Sequence, residues 1–344
     1  MDLKPMKFLI LTDHADHSDQ NSLYALARKL AADGRTRTVF VASRSDGRNA
    51  FFFGGDIHQP LHGLVATPGF DFDATGEQFT CSPKTAGFTD FDAVWLRLPP
   101  PADPGFFASL TSLAPAAAPI IVNDPRGMLE TGSKSFLHHF PDFTAEVRRV
   151  QSAEEVQAFA TETAIVLKPL GEYGGRGLVR IVNGLVEGDG IETPLYNWLE
   201  TAKPDIKAGR YLAMKYLKNV SEGDKRILVV NGKIMGASLR VPAPGQWLCN
   251  ISRGGTSVPA QVSQEEERMI AAIAPVLLDK GVVIFGVDTL MDDDGKRVLS
   301  ELNTNSIGGF LQAEAQTGRP ILQQTINGLY DYLSDRLPRA ADRT

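Results

Sequence analysis

The sequence predicts an α/β fold that opens on a parallel βαβ unit, and three observations predict it. Phe8 to Leu11 is a short apolar run followed by the polar stretch Asp13 to Gln20, which reads as a buried strand ending in a loop. Ser22 to Ala32 carries Leu23, Leu26, Leu30 and Ala31 at helical spacing, with Gly34 as a stop signal. Thr38 to Val41 is a second buried strand. Strand, helix and strand in so short a stretch form a crossover unit, so the sheet here is expected to be parallel.

The remaining elements follow in order. Ala93 to Leu98 and Pro119 to Val122 read as two more strands, while Gly54 to Gly87 shows no strong period. The texture changes near residue 125. Ser152 to Thr161 is a helix, and Ser152 with Glu155 has the capping-box pattern. β segments follow at Ile165 to Pro169, Leu178 to Val182, Tyr211 to Tyr216, Arg226 to Val230 and Ile234 to Arg240. Asn231-Gly232 between the last two is a strong hairpin turn. Gln264 to Lys280 is an amphipathic helix, and Val282 to Leu290 with Arg297 to Asn303 forms a second hairpin. Pro320 to Leu337 is a terminal helix with a polar tail.

Composition bounds the function. The 344 residues allow two or three domains. A hydrophobic share of 43% with 22% charged residues is that of a globular chain. Lys and Arg number 35 against 41 Asp and Glu, a net charge of −6, which argues against a general nucleic-acid binder. Cys81 and Cys249 are the only cysteines and lie far apart, so no metal-ligand spacing and no disulfide framework is expected. No run is long and apolar enough for a membrane span, and Met1 to Thr12 lacks a signal-peptide core. The glycines, at 32, are in excess of ordinary usage.

Several motifs could carry chemistry. A dinucleotide site needs glycines between the first strand and helix; here the turn reads Thr12-Asp13-His14-Ala15-Asp16-His17. Gly127 to Lys134 approximates a P-loop, but the lysine is one position late and no buried strand leads into it. Lys168 ends an apolar strand and is followed by a loop containing Gly171, Gly174, Gly175 and Gly177. Two readings fit that segment alone. Its amides could turn toward a polyphosphate that pairs the lysine, or it is an ordinary glycine-rich hairpin with a snorkelling lysine.

Glu301 and Asn303 lie two apart on a strand and share a face, with Asp288 expected level with them across the hairpin. Two carboxylates and an amide oxygen suit Mg²⁺, although a solvated polar face is the alternative. Asp292-Asp293-Asp294-Gly295 lacks calcium-loop spacing and reads as a turn. Arg226, Arg240 and Arg253 lie near strand ends and a Gly-Gly loop, as a phosphate and carboxylate clamp requires. His138 and His139 read as capping or solvent-facing, and no motif points to a side-chain nucleophile.

These pieces in this order resemble the ATP-grasp superfamily, and within it the prokaryotic-type glutathione synthetases, over roughly residues 5 to 335. Val166 to Leu170 with Gly174-Gly175 is similar to the family's lysine strand and phosphate-covering loop, and Lys134 stands where the family has its other nucleotide lysine. Met214-Lys215-Tyr216-Leu217 looks like the hinge that holds adenine through backbone groups. Gly223 to Gly232 is a close match and implies a nucleotide role for Asp224 and a phosphate or substrate role for Arg226. Arg240-Val241-Pro242 resembles the family's Arg-Ile-Pro, and Gly286-x-Asp288 with Glu301-x-Asn303 resembles its metal triplet. Arg97 to Pro101 and Val122 to Pro125 also fit.

The resemblance implies an ATP-grasp fold behind a pre-ATP-grasp domain. Residues 1–124 would form the N-terminal βαβ substrate-side domain, 125–208 the central lid, 209–336 the C-terminal domain with the metal site, and 337–344 a tail. It implies a cytoplasmic homo-oligomer, dimer or tetramer, with ATP as co-substrate and Mg²⁺, or Mn²⁺ in its place. The implied reaction joins γ-glutamylcysteine to glycine through an acyl phosphate. Pro242 to Gly255 is a candidate lid.

The sequence departs from the family where substrate is held. Leu248-Cys249-Asn250 replaces an Arg-Gly-Asn run, and Arg253 is gained beyond it. Ser306 is kept in Asn303-Thr304-Asn305-Ser306-Ile307, but the following proline is not, and a later family arginine falls on Leu311. Asn250, Arg253 and Ser306 are the candidate substrate residues. A related ligase joining another acid and amine, or a regulatory nucleotide-binding protein, are the alternatives.

Overall fold

The computed structural model describes residues 4–82, 84–101, 103–113, 118–188, 190–249 and 254–336. The first sheet holds β1 (Met6–Thr12), β2 (Thr36–Ser43), β3 (Leu61–Val65), β4 (Lys84–Ala86), β5 (Ala93–Arg97) and β6 (Ile120–Val122), in the order β4-β3-β2-β1-β5-β6. β1, β2, β5 and β6 pair in parallel, as the βαβ reading expects, and β3 and β4 add an antiparallel edge. The weakly patterned stretch from Gly54 to Gly87 supplies that edge. Its core comes from aromatic side chains on short elements and loops, among them Phe70 and Phe79, rather than from a periodic face.

The helix Ser22–Ala32 forms as expected, with Asn21 accepting from the Leu23 amide at its start. Its stop differs. Asp33 is the C-cap in extended backbone (φ −75°, ψ 130°), and Gly34 is not in the left-handed region. At the helix Ala153–Glu162, Ser152 caps the Glu155 amide, but Glu155 bonds back to the Gln151 amide, one residue before the expected partner.

The second sheet is antiparallel: β7 (Val147–Val150), β8 (Ile165–Pro169), β9 (Val179–Val182), β10 (Leu185–Gly188), β11 (Ile191–Pro194) and β12 (Tyr211–Lys215), ordered β11-β10-β9-β8-β12-β7. β12 hydrogen-bonds between β8 and β7. The segment that the sequence placed beyond a boundary at 208 therefore belongs to this sheet. The helices Ala153–Glu162 and Leu195–Lys207 cover it, and Val156, Phe159, Trp198 and Ile206 give it a core of its own.

The third sheet, also antiparallel, holds β13 (Asp224–Val230), β14 (Lys233–Val241), β15 (Thr256–Pro259), β16 (Ile284–Met291) and β17 (Arg297–Asn303), ordered β15-β14-β13-β16-β17. Asn231 and Gly232, at φ 47° and 74°, make the β13–β14 turn that the dipeptide predicted. One face packs on the helix Gln264–Asp279, through Ile270, Ile273 and Leu277, and on Phe136, Leu137 and Phe140. The other face, with Leu228, Val230 and Met235, shares a core with the helices Phe310–Thr317 and Ile321–Ser334 and with β1 and β2 of the first sheet. The terminal helix thus closes the N-terminal unit: Tyr330 meets Phe8 edge-on at 5.7 Å and bonds Thr36 Oγ1 at 2.7 Å.

Candidate active site

A cleft of about 490 Å³ opens between the second and third sheets. Its walls come from the β8–β9 loop, the end of β12, the central strands of the third sheet and residues 304–309, with Gln20 and Pro100 from the first unit. Lys134, Lys168, Gly174, Gly175, Met214, Lys215, Tyr216, Leu217, Asp224, Arg226, Arg240, Asp288, Glu301, Asn303 and Ser306 all line this one cleft. Asn250 and Arg253 lie outside the described residues.

Lys168 is carried in by β8, whose neighbours Leu167 and Ile165 are fully buried. It is 8% exposed, and its Nζ donates to the Ser300 carbonyl at 3.0 Å with no carboxylate partner among the described residues. It does not snorkel to solvent. Burial lowers its pKa, and Glu301 offsets that only in part. Lys134 begins a short 3₁₀ turn, Lys134–His139, and is likewise buried. Its Nζ donates to the Pro169 carbonyl at 3.0 Å and to the Glu172 carbonyl, and lies 5.1 Å from the Tyr173 ring centroid. Two buried cations on backbone carbonyls are costly alone and become favourable when an anion arrives. Gly174 and Gly175, at φ 67° and 79°, turn the intervening loop as only glycine readily does.

Register fixes the acidic group. Asp288 on β16 stands opposite Glu301 on β17 and Arg226 on β13, so their side chains share a face. Asp288 Oδ1 accepts from Arg226 Nε at 2.8 Å. Its Oδ2 accepts from Arg226 Nη2 at 2.6 Å, Arg240 Nη2 at 2.7 Å and Asn303 Nδ2 at 3.0 Å. Burial would raise the Asp288 pKa, but the two guanidiniums hold it well below the usual carboxylate range. Asp224 pairs with Arg240 yet keeps Oδ1 buried and unpartnered, and burial raises its pKa to about 6.

A divalent cation fits this group. Asp288, Glu301 and Asn303 offer two carboxylates and an amide oxygen, the hard donors Mg²⁺ prefers. Arg240 Nε and Asp224 Oδ1, both buried without partners, leave a donor and an acceptor unspent in the same cleft. As arranged here, both arginines occupy the Asp288 carboxylate, so a cation would take it in exchange for them.

The segment expected to be a hinge is partly bonded within the protein. The Lys215 and Tyr216 amides donate to the Glu146 and Ala164 carbonyls at 2.9 and 2.8 Å. Those two amides are therefore spent within the protein. Asp292-Asp293-Asp294-Gly295 is the turn expected of it: Asp292 caps the Asp294 and Lys296 amides, and Asp293 pairs with Lys215 at 3.0 Å. His138 and His139 face solvent. Gly127 lies in the helix Pro125–Thr131, not in a phosphate loop.

Sequence reasoning singled out neither Trp247 nor Asn305, both of which line the cleft. Asn305 Oδ1 is buried and unpartnered. Arg97, noted only within a family match, is 4% exposed and donates to the Ile307 carbonyl at 2.8 Å, which braces the cleft wall from behind. A buried arginine at the end of a parallel strand was the signal available.

The fold and this cleft define the class. The chain shares the architecture of solved ATP-grasp ligases. It aligns with D-cycloserine synthetase DcsG at a TM-score of 0.64, with 13% identity, covering 95% of this chain and 99% of that one. It aligns with the ATP-grasp ligase PsnB, solved with a minimal precursor, Mg and ADP, at a TM-score of 0.55, with 14% identity, covering 95% and 98%.

Sequence narrows the assignment. Residues 133–318 match the family described as prokaryotic glutathione synthetase, ATP-grasp domain. The glutathione synthetase of Prochlorococcus marinus (strain MIT 9313) is 33% identical over 266 residues, 76% of this chain and 80% of its own. That of Ralstonia nicotianae is 29% identical over 318 residues, 90% of each. The chain belongs to the prokaryotic glutathione synthetase family. No helix among the described residues is long and apolar enough to cross a membrane.

Proposed function

We propose that the cleft joins a carboxylic acid to an amine at the expense of ATP, with γ-glutamylcysteine and glycine as the pair. One observation carries the reading: two buried lysines with no carboxylate partner among the described residues share a single cleft with a carboxylate–amide set. The relatives named above, at about 30% identity over most of the chain, favour that substrate pair.

In this reading Lys134 and Lys168 bind phosphate oxygens, the Gly174–Gly175 loop covers them, and Met214 to Leu217 hold the base. Asp288, Glu301 and Asn303 hold Mg²⁺, which when bound offsets phosphate charge. The acid's carboxylate oxygen attacks the γ-phosphorus, ADP leaves, and an acyl phosphate forms. The amine nitrogen then attacks the acyl carbon, inorganic phosphate departs, and the nitrogen loses its proton, giving an amide. Arg226 and Arg240 stabilise the transferring group once released from Asp288. No side-chain nucleophile is needed.

A second reading, another acid and amine pair, is favoured by Leu248 and Ile307, apolar residues in the cleft wall where the family has a different pattern. The test is phosphate release from ATP across a panel of acid and amine pairs. Release with γ-glutamylcysteine plus glycine alone supports the first reading, and release only with other pairs selects the second. Lys168→Ala is expected to abolish turnover with the fold kept, and unchanged activity would remove the nucleotide assignment.

A further inference from the structure

The segment from Pro242 to Cys249 leaves β14 and reaches across the cleft to the second sheet, and Trp247 marks where it lands. A Cβ at Gly188 on β10 would come within 3.2 Å of Trp247 Cζ2, so the indole lies against that strand's backbone. The Arg180 guanidinium, carried by β9, sits 5.6 Å from the ring centroids of both Tyr216 and Trp247. It is pinned there: Nε donates to Glu187 Oε2 at 2.6 Å and Nη1 to the Tyr216 hydroxyl at 3.1 Å. Trp247 and Tyr216 meet edge-on, 6.3 Å apart at 78°. One cation shared by two rings, themselves in edge contact, makes a single cluster rather than three independent contacts.

The cluster has two ends. Tyr216 belongs to the hinge at the nucleotide side. Leu248 and Cys249 directly follow Trp247 and line the cleft, with Cys249 buried and its Sγ 3.7 Å from the Val220 carbonyl. We propose that Trp247 is a positioning residue: clasped to Arg180 and Tyr216, it seats the Pro242–Cys249 segment on the nucleotide hinge and so couples nucleotide binding to binding of the acid. The proposal rests on the reading of the hinge as the base site. Ordering the segment once, for either ligand, lowers the cost of binding the other.

The test uses the full chain. Trp95 and Trp198 are buried in the cores of the first and second sheets. A change in tryptophan emission on titrating ADP with Mg²⁺ is therefore expected from Trp247, and is expected to vanish in Trp247→Phe. With the acid that gives the fastest phosphate release in the panel, Trp247→Ala is expected to raise the acid's KM tenfold or more, with kcat changed less than threefold. Trp247→Phe, which keeps a ring edge on Tyr216, should stay within threefold of the parent. Arg180→Gln approaches the clasp from its other side and should act like Trp247→Ala. The double variant should be no worse than the worse single one, because both remove one assembly. Multiplying effects, or an unchanged acid KM in Trp247→Ala, would overturn the proposal. So would unchanged emission while calorimetry records ADP binding. Absence of ADP binding to the parent chain would instead sink the base-site reading itself.

Discussion

Asp288 and Glu301 face each other across one ladder, yet they hold different places in the energetics. Asp288 is 1% exposed and forms ion pairs with two guanidiniums, whereas the Glu301 carboxylate makes no hydrogen bond or ion pair with another described residue. Asp288→Asn strands Arg226, leaves Arg240 with Asp224 alone, and should cost about 3–5 kcal/mol of stability, as breaking a buried pair does. Glu301→Gln should cost less than about 1 kcal/mol. Both should lose Mg²⁺-dependent turnover, and urea unfolding beside activity separates the two. Equal stability losses would contradict the contact pattern. His17 supplies a pH prediction. Burial, aided by Arg97, lowers its pKa to about 4, between Thr12 Oγ1 and the Tyr24 hydroxyl. The folded state holds it neutral, so its contribution is full above about 6.5 and is lost as pH falls toward about 4. His17→Gln should flatten the urea midpoint's dependence on pH across that window. Of these residues the carboxylates were legible, because a two-residue spacing on a strand fixes a shared face. The arginine grip on Asp288 was not, because it depends on register between β13, β14 and β16.

At the scale of elements, what carried through was whatever had a strong local signal: the βαβ start, the Asn231-Gly232 turn, the hairpin that carries Asp288, Glu301 and Asn303. The elements missed had reasons to hide. β10 and β11 are four residues each. The helix Leu195–Lys207 contains Pro204, and the helix Phe310–Thr317 starts from Gly309 in left-handed backbone, where a break would be expected. Gly127 shows a glycine whose purpose is visible only in three dimensions. A Cβ there would fall 1.9 Å from the Lys280 carbonyl oxygen, so the helix Pro125–Thr131 can approach the chain before β16 only without a side chain. Gly127→Ala should therefore destabilise by about 1–3 kcal/mol despite its better helix propensity. A stabilised variant in thermal unfolding would refute the close approach.

For the whole molecule, the three sheets do not make three equal units. One face of the second sheet has its own core, with Leu212 of β12 and Val147 of β7 reaching into the third sheet's, whereas the first and third share side chains through the helix Ile321–Ser334. Hydrogen exchange is accordingly expected to show the second sheet opening as a separate unit, with the first and third protected together. Uniform protection across all three would argue against that partition. The sequence could divide the chain by texture, but it could not show that its last helix belongs with its first strand. No local pattern encodes a partner some 300 residues away.

That return of the last helix has a consequence for synthesis. Phe8, Val39 and Leu30 are made roughly 300 residues before part of their cover, Tyr330 and Leu333. Until the helix Ile321–Ser334 has been made, the first sheet presents an open apolar face, the kind of surface chaperones hold. A deletion of the helix Ile321–Ser334 alone would leave every residue of the cleft in place and still yield a chain prone to aggregate.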